Sequence, residues 1–179
     1  MLIPRTTIPN LIFPTLTHGE FDISKNAKSK FNVIVFYRGL HCPLCANYLT
    51  ELSNLSAEFK KRDVSITILS SDSKDRTEQM ASKINVNPDI AFGYDLKLSD
   101  AKKWGLYISE GRGKTSIGIE EPAKFSEPGV FIIKADQTLY YGNTQTMPFA
   151  RPLFKDLLGA IDFAIAKDYP ARGEYTGAV

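Results

Sequence analysis

The sequence predicts an α/β fold, with a mixed central sheet flanked by helices and an N-terminal hairpin extension. Three observations predict it. Residues 33–37, 64–69 and 90–94 are short apolar runs rich in β-branched and aromatic side chains, which is the pattern of buried strands. Segments of helical periodicity separate these runs, so the strands should be parallel and joined by right-handed crossovers. Residues 129–133 and 138–141 then flank a turn at Ala135-Asp136-Gln137, predicting an antiparallel hairpin.

The elements follow in order. Residues 1–24 carry Pro4, Pro9 and Pro14 and predict an extended arm ending in a hairpin that turns near His18-Gly19. Residues 25–30 are a polar connector. After the first strand, Pro43 opens a helix, because proline at the first helical position removes an amide with no partner. Leu44, Tyr48, Leu52, Leu55 and Phe59 recur on one side and predict its buried face. Lys60, Lys61 and Arg62 suit its C-terminal end. Ser70-Ser71-Asp72 supplies capping chemistry for a helix reaching Ile84. A short helix runs from Leu98 to Trp104 and stops at Gly105. Residues 105–128 read as a surface loop. Arg151-Pro152 opens the last helix, whose apolar face runs from Leu153 and Phe154 to Ile165. The 179 residues suit a single domain, 1–179, with the arm at 1–24 and a tail at 168–179.

The chemistry concentrates in F-Y-R-G-L-H-C-P-L-C, residues 36–45. If Pro43 begins the helix, Cys42 is its N-cap and Cys45 lies one turn inside. A sulfur there faces unpaired amides and the positive end of the helix dipole, which favour thiolate, the nucleophilic form. Arg38 and His41 are candidate cationic neighbours. Arg38 pairing with a surface acid and His41 lying free in solvent are the plainer alternatives. Cys42 and Cys45 can close a small disulfide ring that constrains the unfolded chain little, so it is suited to being made and broken. A tetrahedral zinc site would need four ligands. The chain offers these two cysteines, His18, and His41 next to Cys42, a poor set. Two inert core cysteines are the other alternative.

Net charge is +2, from 22 basic and 20 acidic residues, which gives no electrostatic case for nucleic acid or a membrane surface. No apolar run approaches membrane-spanning length and the first residues lack a secretory pattern, so a cytoplasmic location is expected. In that compartment a C-x-x-C is more often catalytic than structural.

With the dithiol at the first strand-to-helix junction, the order of elements resembles the thioredoxin fold. P-N-L-I-F-P-T-L-T-H-G-E-F-D-I-S, F-Y-R-G-L-H-C-P-L-C, E-P-G-V-F-I-I-K-A-D-Q-T-L-Y-Y and M-P-F-A-R-P together are similar to peroxiredoxin-like proteins of the alkyl hydroperoxide reductase C / thiol-specific antioxidant (AhpC/TSA) family. The likeness covers nearly the whole chain. It implies a thiol-disulfide oxidoreductase in which Cys42 attacks and Cys45 resolves. It also implies a disulfide or hydroperoxide substrate, a thiol reductant such as thioredoxin or glutathione, no cofactor, and compatibility with a homodimer through Met147–Phe149. The sequence departs from the family pattern Pro-x-x-x-Thr-x-x-Cys. If Cys45 takes the peroxide-attacking place, Cys42 replaces the threonine and Arg38 the proline. Pro128 stands where peroxiredoxins carry an arginine and thioredoxins a cis-proline. A cis Glu127–Pro128 bond shaping a substrate groove is the expectation, with an ordinary trans proline opening a strand as the alternative. A true thiol peroxidase and a redox-inert binding protein on the same fold are the competing functions.

Overall fold

The computed structural model describes residues 2–178. The N-terminal hairpin is β1 (Ile12–Pro14) with β2 (Glu20–Asp22), followed by the single turn α1 (Ile23–Asn26). Then come β3 (Phe31–Phe36), α2 (Pro43–Lys61), β4 (Val64–Leu69), α3 (Lys74–Ile84), β5 (Ala91–Gly93) and α4 (Leu98–Lys103). The second half holds β6 (Ile108–Glu110), β7 (Lys124–Ser126), β8 (Gly129–Lys134), β9 (Leu139–Thr144) and α5 (Phe154–Lys167). The central sheet has the order β5-β4-β3-β8-β9. β3, β4 and β5 are parallel, and β8 and β9 run antiparallel to their neighbours.

Period-two alternation divides the core between the two sheet faces. On β3, Val33 and Val35 face α2 and α5, packing against Leu49, Leu52, Phe59, Phe154 and Ile161. Ile34 and Phe36 face the opposite way, toward Phe13, Phe21, Trp104 and Phe131. All six residues of β3 are buried, which explains the apolar run from Val33, and the one polar member, Asn32, donates to the Ser29 carbonyl and accepts from Ser65. The N-terminal hairpin therefore covers the second face of the sheet and is part of the core.

Three expectations need correction. The buried face of α2 is Cys45, Ala46, Leu49, Leu52, Ser53, Ser56 and Phe59, whereas Leu44 is 41% exposed. The stripe is displaced by one residue because small residues at 46, 53 and 56 let the helix approach its neighbours closely. Residues 105–128 are not featureless, since β6 pairs with β7 and Lys114 bridges to Glu120. Strands of three residues carry too little periodicity to show in sequence. On α5, Leu153 is the N-cap and exposed, so the core face starts at Phe154.

The corrected face of α2 carries an expected outcome. Leu49, with no exposed surface, should cost about 2–5 kcal/mol on truncation to alanine. Leu44→Ala should stay within about 0.5 kcal/mol. Urea unfolding of the two variants measures both, and the reverse order would restore the sequence-based face.

Candidate active site

β3 ends at Phe36 and α2 begins at Pro43, so six intervening positions must carry the chain from sheet to helix. Gly39 makes this possible with φ +142, where a Cβ would meet the Asp72 carboxylate at 2.8 Å. Asp72 is the anchor of the turn. Its carboxylate accepts from the Leu40 amide at 2.7 Å and from Arg76 Nε at 2.9 Å. It is nearly fully buried, and Ser73 instead caps α3. The Cys42 amide closes the turn onto the Gly39 carbonyl at 3.1 Å.

Cys42 is the N-cap of α2 with Pro43 at the first helical position, as the sequence predicts. Cys42 and Cys45 stand 3.2 Å apart, and both are free thiols. Both are also buried, Cys42 at 2% exposure and Cys45 at 0%, so Cys42 is not the open sulfur that its N-cap position suggested. The cover comes from the segment after β9. Arg151 Nη2 lies 3.1 Å from Cys45 Sγ and 4.0 Å from Cys42 Sγ. Its Nε is tied to the Pro148 carbonyl at 2.6 Å, and its guanidinium lies 5.0 Å from the centre of the Tyr48 ring. Nη1 of Arg151 is buried and has no hydrogen-bond partner among the described residues.

The environment separates the two thiols. The Cys45 thiol donates toward Cys42, and this lowers the Cys42 pKa to about 6, against the burial that opposes it. The Cys45 amide, Arg38 and the charge of Arg151 add to the effect. Cys42 makes no capping hydrogen bond of ordinary geometry, so the start of α2 acts on it as a field. Burial raises the Cys45 thiol, and the neighbouring Cys42 thiolate raises it further. The pair thus holds one proton, on Cys45, and one negative charge, on Cys42.

Arg38 leaves β3 beside this pair. Its Nε is 3.2 Å from Glu127 Oε2, its Nη2 is 3.5 Å from Glu121 Oε1, and its guanidinium sits 4.7 Å from the centre of the Phe125 ring. It therefore pairs with acids, as the plainer alternative had it, but with largely buried ones, while still bearing on Cys42. His41 is fully buried against Phe125, with Nδ1 3.4 Å from Arg76 Nη2. Burial, helped by Arg38, lowers its pKa to about 4. His41 is thus neutral at neutral pH and supplies packing, not the positive charge expected of it. The Glu127–Pro128 bond is trans, contrary to the cis expectation. The Pro128 carbonyl accepts from the Gln145 amide at 3.0 Å, which tethers the start of the segment carrying Arg151. β6 and β7 bring Glu127 and Phe125 to the site, which is why the misread segment matters.

Of the residues singled out from the sequence, Cys42, Cys45, Pro43 and Arg38 come together at the start of α2. Reading the sequence missed Arg151, Asp72, Arg76, Glu121 and Glu127, all distant in the chain. M-P-F-A-R-P, which contains Arg151, was a signal of family and could have pointed to that arginine. Among the described residues no group of three or more His, Cys, Asp or Glu gathers as a metal site, and no helix is long and apolar enough to cross a membrane.

The fold is thioredoxin-like, with two free cysteines at the β3–α2 junction, and the protein is an oxidoreductase. The chain belongs to the redoxin family, whose model, described as Redoxin, matches residues 4–157. Its fold is shared with solved peroxiredoxins. Solved structures share the fold at low identity. Peroxiredoxin 6 of Arenicola marina is 22% identical, with 93% of this chain and 76% of that one covered and a TM-score of 0.72. Peroxidoxin BcpB of Mycobacterium tuberculosis is 19% identical, with 92% and 99% covered and a TM-score of 0.70. The yeast mitochondrial 1-Cys peroxiredoxin is 19% identical, with 94% and 78% covered and a TM-score of 0.72. No curated protein matches the sequence.

The proton distribution has a measurable consequence. Alkylation tracks the thiolate, so the rate at Cys42 should rise with pH through a midpoint near 6, against 9.0 for an ordinary thiol, and level off above it. Cys45 should react far more slowly at neutral pH. In Arg151→Gln the midpoint should move up, because a cation is lost beside the thiolate. Rates for each cysteine, read by peptide mapping across pH, test this. Preferential labelling of Cys45 would reverse the assignment.

Proposed function

We propose that the protein is a dithiol peroxidase in which Cys42 reduces a hydroperoxide and Cys45 resolves the product. The observation that carries this reading is the Arg151 guanidinium, which sits on both sulfurs with Nη1 left unpaired in an almost sealed site. A hydroperoxide is small enough to reach a sulfur that is 2% exposed, whereas the disulfide of a folded protein is not. An unpaired buried N–H is costly, and a peroxide oxygen would satisfy it. Attack also needs the leaving oxygen to be stabilised by fixed donors. Arg151, with Arg38 also bearing on Cys42, is the cation placed to supply such donors.

The steps balance. The Cys42 thiolate attacks the distal peroxide oxygen, the O–O bond breaks, and the alkoxide or hydroxide leaves and takes up a proton from solvent, giving a sulfenic acid at Cys42. The Cys45 thiol then attacks that sulfur. An S–S bond forms, the S–O bond breaks, and water departs carrying the Cys45 proton. A thiol reductant restores the dithiol. Disulfide exchange with a small-molecule disulfide is the second reading. It is favoured by the same depressed Cys42 pKa at a helix N-cap. In that reaction Cys42 attacks one substrate sulfur and Cys45 releases the mixed disulfide.

Stopped-flow mixing of reduced protein with hydrogen peroxide distinguishes them. Wild type should form the Cys42–Cys45 disulfide far faster than a free thiolate reacts. Cys45→Ser should stop at a sulfenic acid that dimedone traps, and Cys42→Ser should be inert. Arg151→Gln should slow the first step by a factor of roughly 10²–10³. A wild-type rate no better than that of a free thiol, with rapid reduction of small disulfides, would replace the peroxidase reading with disulfide exchange.

A further inference from the structure

Residues 146–153 carry the arginine that covers the dithiol, and their own backbone does little to hold them there. The Gln145 amide is tied to the Pro128 carbonyl, and α5 begins at Phe154. Between these points no backbone amide donates a hydrogen bond among the described residues. The large apolar side chains of the segment are turned outward, Phe149 being 72% exposed and Leu153 57%. A segment with so few backbone bonds and so little buried apolar surface opens at low cost. Side chains supply what remains. Arg151 Nη2 reaches the sulfurs, the guanidinium lies over Tyr48, and the Tyr48 hydroxyl donates to the Pro152 carbonyl. The bond from Arg151 Nε to the Pro148 carbonyl is internal to the segment and moves with it. Arg151 makes no ion pair with a carboxylate among the described residues, so the anion it faces is the Cys42 thiolate. A depression of about 270 Å³ lies between α2 and the segment, lined by Tyr48, Glu51, Phe149 and Leu153, and Arg151 already borders it.

We propose that residues 146–153 form a latch worked by the charge on the dithiol, closed while Cys42 is a thiolate and released when the two sulfurs join as a disulfide. The inference rests on the dithiol reading above, with a hydroperoxide as the oxidant. Over its two steps the Cys42 thiolate, the Cys45 thiol, the hydroperoxide and one solvent proton become a disulfide, an alcohol or water, and a further water. The site therefore loses one negative charge. A guanidinium does not deprotonate in a protein, so Arg151 is left without its anion, and its Nη1 has no partner to begin with. Removing one member of an enclosed charge pair strongly destabilises the other. Turning outward into the depression hydrates the guanidinium and brings it toward the carboxylate of Glu51. The segment follows, because no amide bond restrains it. Release uncovers the disulfide for the thiol that reduces it. Reduction restores the thiolate and closes the latch, which keeps bulky disulfides away from the nucleophile.

Chymotrypsin reads the latch at Phe149, since cleavage there requires the flanking residues to leave the surface. The cut after Phe149, timed by mass spectrometry, should be roughly tenfold or more faster in peroxide-oxidised than in reduced wild type, with cuts elsewhere in the chain unchanged. Reduced Cys45→Ser, which keeps the Cys42 thiolate, should stay slow. The double variant Cys42→Ser/Cys45→Ser, with neither thiolate nor disulfide, should be cut about as fast as oxidised wild type. Arg151→Met should be cut fast in both redox states. Equal rates in reduced and oxidised wild type overturn the proposal, as does an equal acceleration at every site in the chain. So does a slow double variant, because the geometry of the disulfide and not the lost charge would then open the segment. If peroxide produces no Cys42–Cys45 disulfide, the peroxidase reading fails separately, and the double variant and Arg151→Met still decide whether the thiolate charge holds the segment.

Discussion

Two sulfurs 3.2 Å apart in an almost fully buried site share a single proton, and the site is organised around that constraint. Two thiolates at this distance would repel strongly at low dielectric, and two neutral thiols would leave Arg151 facing no anion. One thiolate and one thiol is the arrangement that the helix N-terminus, Arg38 and Arg151 all favour. Cys42 takes the charge because it sits at the N-cap, whereas Cys45 is inside the first turn and fully enclosed. The same asymmetry assigns the chemical roles: a nucleophile that is ionised and a resolving thiol that already holds the proton it must lose.

That arrangement depends on a turn with little freedom. Gly39 adopts a φ that side chains rarely allow, and Asp72 grips the adjacent amide from the start of the next crossover. Asp72 is in turn held by Arg76 on α3, so the position of Cys42 relative to the sheet is set by a residue one βα unit later. A buried carboxylate is costly unless it is paired and hydrogen-bonded, and here it is both. His41, neutral and packed on Phe125, fills the space beneath the turn.

From the opposite side the site is closed by the chain after β9. Arg151 is fixed by the Pro148 carbonyl and by its place over Tyr48, while Tyr48 itself donates to the Pro152 carbonyl at 2.7 Å and stacks on Phe154. α2 and the segment before α5 thus hold each other, and the arginine reaches the sulfurs as a consequence of helix packing. The short β6–β7 pair performs the corresponding service for Arg38 by delivering Glu127 and Phe125. Both contributions come from segments with weak local patterns.

What the sequence determined by itself was whatever is local in the chain. The apolar run of β3, the proline after Cys42 and the spacing to Cys45 specify a dithiol at a helix N-terminus, since these are effects of neighbouring residues on backbone conformation. The hairpin of β8 and β9 was legible for the same reason. The tertiary structure decided everything that depends on residues meeting across the sheet. It turned Asp72 from an expected cap into an anchor, made His41 neutral by burial, set the Glu127–Pro128 bond trans, and covered Cys42. It also brought Arg151 onto sulfurs more than a hundred positions away in the chain. Burial and long-range charge are properties of packed neighbours, and no spacing within a single segment encodes them.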